Sequence, residues 1–316
     1  MSATSSVVPT AETAAPVSAS GDTSPDPDRW RGDLAALRAE LDQLDDAVHD
    51  LLMRRAAVVA HVAATKPPGT SGLRPGREAA MLRRLLNRHA GPLPAQGIIR
   101  IWRELLAATT AMQGPFAVAV CDPRPGAAFT QAAREQFGAL TPLRAHGSAA
   151  QAIADLSAGR AALAVLPLPS EAEPARDAWW TALLHKDNPR LHVVARLPFW
   201  TRRPEGAADA PAFVLAAVPP DASGGDRSLI GLELERGVSR ARLAAALTAA
   251  GFALETAGAL PGGVILRREP DADAQVLAEV GGFVTQDDPR LARLSAALRP
   301  PVVLGAYAIP IDGATP

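Results

Sequence analysis

Arg38, Arg55 and Lys66 lie on or beside the apolar stripe of one helical segment, and burying a cation costs several kcal/mol unless an anion meets it. The stripe is made by leucines and valines at 34, 37, 41, 44, 48, 51, 52, 59 and 62, which recur at helical spacing between Asp33 and Lys66. No carboxylate occupies it, so the anion that answers these charges points to a ligand. Arg55 and Lys66 are 11 residues apart, and at about 100° per residue they share a face to within roughly 20°. Arg38 precedes Arg55 by 17 residues and points about 100° away. It suits a different site from that of its own Arg55. An arginine beside a stripe also commonly snorkels or pairs at the surface, and one position alone does not separate these readings.

The elements that hold these residues follow from the punctuation. A first helix runs from an N-cap at Asp33 to Pro67-Pro68-Gly69, which cannot continue it. Its length of roughly 51 Å exceeds the diameter of a small domain, about 30 Å. The stripe along it favours pairing with a second copy. A Gly/Pro loop over 69–76 precedes a short helix from Arg77 to about His89, closed by Gly91-Pro92. A third helix spans about Ala95 to Gln113, stopped by Gly114-Pro115. Its inward stripe reads Ile98, Trp102, Leu105, Thr109, Gln113, apolar first and polar last. Thr109 and Gln113 sit one turn apart on one face.

From Phe116 the period changes. FAVAVC is a buried strand, 127–137 a helix, 148–158 a second helix and AALAVLPLP a second buried strand, a βαβ pattern that implies a parallel pair. A helix at 175–185, a strand at LHVVARLPF and a polar connection at 201–212 follow. The final part reads strand FVLAAV, strand SLIGLEL, helix 239–250, a strand near 253–256, strands GVILRRE and VLAEVGGFV, helix 289–298 and strand VVLGAY. This pattern fits a small α+β sandwich of ferredoxin-like type.

Composition bounds the function. The 316 residues allow about two domains, and a net charge of −1 argues against nucleic acid as a partner. Residues 31–113 carry 12 Lys plus Arg against 8 Asp plus Glu, which favours a small anionic ligand there. One cysteine, Cys121, excludes an internal disulfide or a cysteine metal cage and reads as a small buried hydrophobe. His49, His61 and His89 lack metal spacing and read as surface residues, so no metal is expected. The first 29 residues, rich in Ser, Thr, Ala and Pro, read as a disordered tail without the basic region or apolar run of a signal peptide or membrane span. A cytoplasmic protein without membrane contact is expected.

LRAELDQLDDAVHDLLMRRAAVVAHVAATK, RPGREAAMLRRL and IWRELLAATTAMQ together resemble the AroQ-type, all-helical chorismate mutases, over residues 34–113. The resemblance implies an intertwined homodimer of three-helix chains that turns chorismate into prephenate without any cofactor. That rearrangement is pericyclic, so the protein needs only to hold the dicarboxylate compactly and to stabilise charge on the breaking ether oxygen. By resemblance, Arg55 and the partner subunit's Arg38 bind the carboxylates, and Lys66 and Gln113 donate to the ether oxygen. Glu78 accepts from the ring hydroxyl, Arg77 lies nearby and Thr109 bonds a carboxylate. Arg74 stands where some relatives place an aspartate, with its backbone within reach of the hydroxyl.

FAVAVCDPRPGAAFTQAA, the LAVLPLP strand and DDPRLARLSAALRPPVVLGAYAIP resemble the prephenate dehydratase and ACT regions that follow the mutase in bifunctional P-proteins. The signatures differ. Leu168-Pro169-Ser170-Glu171 replaces a Glu-Asn-Thr-like motif, Thr201-Arg202-Arg203 is the only candidate for Thr-Arg-Phe, and about 100 residues are too few for the usual two lobes. At the strand-to-helix turn where the family binds an aromatic amino acid effector, this chain has Gly237-Val238-Ser239, and LETAGALPGG replaces the Glu-Ser-Arg-Pro segment. The expected organisation is a tail at 1–29, a mutase domain at 30–114, a degenerate dehydratase-like α/β domain at 115–212 and an ACT-like α+β domain at 213–316. The expected function is a chorismate mutase for phenylalanine and tyrosine synthesis. The rival readings are a bifunctional mutase/dehydratase, a silent regulatory or partner-binding module, and a related lyase acting on isochorismate.

Overall fold

The computed structural model describes residues 34–67, 72–123, 126–185, 189–268, 273–294 and 297–312. The expected tail at 1–29, the expected N-cap Asp33 and residues 69–71 of the Gly/Pro loop lie outside them. The chain divides into two compact units after Arg55. In the first, the described residues 34–55 belong to helix α1 (Leu34–Thr65). Its Leu41, Leu44 and Leu51 are exposed at 59%, 55% and 63%.

The second unit holds the end of α1, helices α2 (Pro75–Asn87) and α3 (Ala95–Ala111), and a mixed α/β body. α2 has Pro at its first position, where the missing N–H is no loss. Its start is capped from 145 residues downstream. Asp221 Oδ1 accepts from Gly76 N at 2.9 Å, and Oδ2 accepts from Arg77 N at 3.0 Å and Arg74 Nε at 3.1 Å. A carboxylate there also meets the positive end of the helix dipole. A Cβ on Gly76 would lie 1.9 Å from Asp221 O, so only glycine allows this approach. About two turns further on, Arg83 donates to Ser223 Oγ at 2.9 Å, Gly225 O at 3.0 Å and Ile309 O at 2.7 Å. Ala79 and Leu82 of α2 and Ile99 of α3 pack with Phe199 and Ala308 between them and the body.

The body is one nine-stranded sheet in the order β2-β1-β3-β5-β4-β9-β6-β8-β7. Its first half comprises β1 (Val118–Cys121), β2 (Leu143–His146), β3 (Leu163–Pro167), β4 (His192–Leu197) and β5 (Ala212–Ala216). β1 lies parallel to both β2 and β3, and its residues are buried throughout, as in a sheet covered on both faces. Helices α4 (Ala128–Phe137) and α5 (Ala149–Ser157) cover opposite faces, with Phe129 and Ala133 in one core and Ala152 and Leu156 in the other. β5, which starts at the expected domain boundary, runs antiparallel between β3 and β4.

The second half comprises β6 (Asp226–Leu234), β7 (Val264–Arg267), β8 (Ala274–Gly281) and β9 (Val302–Ala308), with helix α6 (Arg240–Ala250) after β6. In chain order these four strands stand 4-1-3-2, all antiparallel neighbours. Among the described residues β4 and β9 join the halves in parallel at Val193 with Gly305, and the chain beyond them pairs again, also in parallel, at Trp200 with Ile311. A Cβ on Gly305 would meet Val193 O at 2.1 Å.

Three local expectations differ. The helix expected at 289–298 is a short 3₁₀ turn, Leu291–Arg293. Ala297 bridges Leu234, and Leu298 N donates to Glu233 O at 2.9 Å, so the backbone there is spent on strand pairing. The helix expected at 175–185 is two 3₁₀ segments, Ala175–Asp177 and Trp179–Leu184, drawn in by Trp179 and Trp180, both buried in the core. The strand near 253–256 is one isolated bridge, Leu254 with Val280.

Candidate active site

Lys66 follows the last residue of α1, and its Nζ donates to Gln113 Oε1 at 3.2 Å. Gln113 stands just past the end of α3, where its Nε2 donates to Thr109 O at 3.2 Å. Thr109 is buried, its hydroxyl bonded to Leu105 O at 2.8 Å. Three expected site residues are thus brought together by the ends of two helices. Gly72 makes room, since a Cβ there would lie 2.8 Å from the Gln113 side chain. The donors Lys66 and Gln113, side by side, can meet one oxygen that gains negative charge.

Arg74, Arg77 and Glu78 form a second group at the start of α2. Arg74 and the Arg77 backbone are held by Asp221. Glu78 Oε2 accepts from Arg103 Nη1 at 3.2 Å. Arg103 is buried on α3, stacks its guanidinium 4.9 Å from the Phe199 ring centroid, and meets the Gln136 amide oxygen at 2.9 Å when that amide faces it. Burial pushes the Arg103 pKa down, and Glu78 opposes the shift. Arg38 and Arg55 lie in the first unit, on α1.

Sequence reasoning missed Arg103 and Asp221. Arg103 adjoins the α3 stripe, next to Trp102, and only its proximity to that stripe hinted at burial. Asp221 carried no signal, because its partners precede it by 145 residues. On α3 the face buried most deeply runs through Ile99 and Arg103, whereas Ile98, Trp102 and Leu105 of the expected stripe are half-buried.

The dehydratase-like positions carry structural bonds. Glu171 accepts from Leu266 N at 2.7 Å and pairs with Arg240. The Thr201 hydroxyl donates to Ile311 O at 3.3 Å, and Arg203 pairs with Glu135 at 2.6 Å. At the turn before α6, Ser239 Oγ caps the helix by accepting from Arg242 N at 3.2 Å. Burial pushes the Cys121 thiol up to about 11. No helix among the described residues is long and apolar enough to cross a membrane.

Comparisons with known proteins agree with the helical part. The bifunctional chorismate mutase/prephenate dehydratase of Stutzerimonas stutzeri is 29% identical over 161 residues, covering 49% of this chain and 44% of that protein. Its Neisseria gonorrhoeae counterpart is 34% identical over 101 residues, 32% of this chain and 27% of that protein. The matches thus span less than half the length of these relatives. Among solved structures, the quorum quenching acylase GqqA aligns at TM-score 0.45 and 19% identity, over 63% of this chain and 97% of that one. A prephenate dehydratase from Streptococcus mutans aligns at 0.44 and 14%, over 62% and 100%. A 161-residue match reaches past residue 114 wherever it begins. Residues 37–114 match the family model of chorismate mutase type II, and this part of the chain, which holds most of α1 and all of α2 and α3, is a chorismate mutase type II domain.

Proposed function

We propose that the chain is a chorismate mutase that rearranges chorismate to prephenate in aromatic amino acid synthesis. The observation that carries this reading is the contact of Lys66 with Gln113 beside Thr109, within a segment that matches the mutase family. In the proposed mechanism Lys66 Nζ and Gln113 Nε2 donate to the ether oxygen as its C–O bond breaks. Arg55 and the partner subunit's Arg38 clamp the carboxylates in the compact conformation. Glu78 accepts from the ring hydroxyl, with Arg77 and the Arg74 backbone beside it, and Thr109 donates to a carboxylate. No proton is exchanged with solvent in the rearrangement itself.

A homodimer belongs to this reading. Leu41, Leu44 and Leu51 of α1 are more than half exposed, and a second copy laid along the stripe would cover them. In the second unit the strand order 4-1-3-2, with α6 between the first two strands, supports a ferredoxin-like, ACT-like part. An aromatic amino acid effector would bind at the turn Gly237–Ser239, where a helix start favours a carboxylate. The dehydratase-like part is read as non-catalytic, because Thr201 and Glu171 are committed to backbone partners and the described residues of the body form one sheet.

The relatives' second activity favours one alternative, a bifunctional mutase/dehydratase. Incubating the purified chain with chorismate and following prephenate and phenylpyruvate decides between them. Prephenate alone is expected. Absence of prephenate removes the mutase reading, whereas phenylpyruvate above the spontaneous rate, lost in Thr201→Val, establishes the alternative.

A further inference from the structure

A cavity of about 90 Å³ lies between α3, α4 and the segment after β4. A single buried water needs roughly 10–15 Å³, so this space takes a compact molecule. Arg100 and Arg103 line it from α3, Gln136 from α4, and Trp200 and Arg203 from beyond β4, with Phe199 as an apolar wall. Three arginines line it with one carboxylate, Glu135; Arg203 pairs with that carboxylate and Arg103 with Glu78 beyond the lining, so Arg100 brings the charge left over. Two donors of the lining, Trp200 Nε1 and Arg203 Nε, are buried and have no hydrogen-bond partner among the described residues. Buried donors left unpaired are costly and call for an acceptor. The lining asks for acceptor oxygens and negative charge.

The cavity also touches the candidate active site. Arg103 donates to Glu78 at 3.2 Å, and a smaller cavity of about 20 Å³, lined by both residues and again by Gln136 and Phe199, adjoins the first. An anion that drew Arg103 toward itself would loosen its hold on Glu78.

We propose that this cavity binds a small oxyanion, carried by a compact organic carboxylate or by phosphate, and that Arg103 reports its occupancy to Glu78. The second clause rests on the mutase reading. The first does not. Phe199 and the Trp200 ring favour a flat carboxylate over a bare inorganic ion.

Calorimetric titration of the full chain with benzoate, and separately with inorganic phosphate, tests the site. At least one should bind saturably at one site per chain, benzoate alone marking a flat carboxylate and phosphate a bare oxyanion. Trp200→Phe, which keeps the ring but removes the donor, and Arg100→Gln should each weaken that probe at least tenfold. No saturable binding of either probe, or an affinity unchanged in both variants, overturns the site. In a chorismate assay the binding probe should shift KM for wild type and leave Trp200→Phe unmoved, with similar basal turnover of the two proteins. Binding that leaves both KM and kcat of wild type unchanged overturns the link to Glu78. Calorimetry needs no turnover, so an inactive chain fails the mutase reading without touching the binding result.

Discussion

Lys66 and Gln113, 47 residues apart in the chain, meet at 3.2 Å where the last turn of α1 comes beside the end of α3. The Gln113 amide oxygen is taken by Lys66, and its nitrogen by Thr109 O. Both side chains are therefore held near one point, which is the preorganisation that the proposed stabilisation of a developing charge would require.

Gln113→Glu tests that point. A glutamate at this position donates only when protonated, and ionised it sets negative charge where negative charge develops. Removal of one such donor costs about 3–4 kcal/mol, so kcat/KM near neutral pH should fall by about two to three orders of magnitude. It should recover as pH falls through the new carboxyl's pKa, while wild type shows no matching rise. Profiles of kcat/KM from acid to neutral pH check this, and parallel curves would remove Gln113 from the breaking bond.

Arg38 and Arg55 are expected to complete one site from two chains. Arg38→Ala and Arg55→Ala should each be nearly inactive alone. Equal mixing and reassociation should restore about a quarter of wild-type activity, one intact site in each mixed dimer. Mixed dimers without recovered activity would show that the two arginines do not share a site.

Arg103→Met removes the cation from a pair whose side chains are 6% and 17% exposed. Stranding a buried partner typically costs about 3–5 kcal/mol. Urea unfolding should show a loss near that size, and adding Glu78→Gln should return part of it. A double variant as unstable as the sum of the two singles would mean that the pair is not coupled.

Asp155 is bonded by Arg160 Nε at 2.7 Å and Arg144 Nε at 3.0 Å, with His146 Nε2 at 3.0 Å. The hydrogen bond from Arg160 is the chief cause that holds its carboxyl below the usual range. A depressed native pKa stabilises the fold at pH above the unfolded value, about 3.9, and this contribution is lost as pH falls through the lower native value. Wild type should exceed Asp155→Asn in Tm by a constant margin near neutral pH, and the margin should shrink below about pH 4. A margin that stays constant into strong acid would show that the ionised carboxylate contributes nothing.

Much of the architecture was legible in the residues themselves. Proline and glycine in the sequence bound α1, α2 and α3 to within a few residues of where they stop, and β1 and β3 announce themselves as continuous apolar runs, because a strand buried on both faces has no polar side to show. Lys66, Thr109 and Gln113 were legible because helical periodicity fixes the face on which a residue lies. β2, with the sequence LRAH, escaped notice since its side chains are not fully buried. The expected helix at 289–298 gave way to pairing with the end of β6, a competition that local propensity does not register. Asp221 capping α2, and Arg103 holding Glu78, belong wholly to the tertiary structure. Sequence periodicity assigns each residue to a face of its own element. Which distant group meets that face depends on how separate elements pack, and those partners stand 25 and 145 residues away.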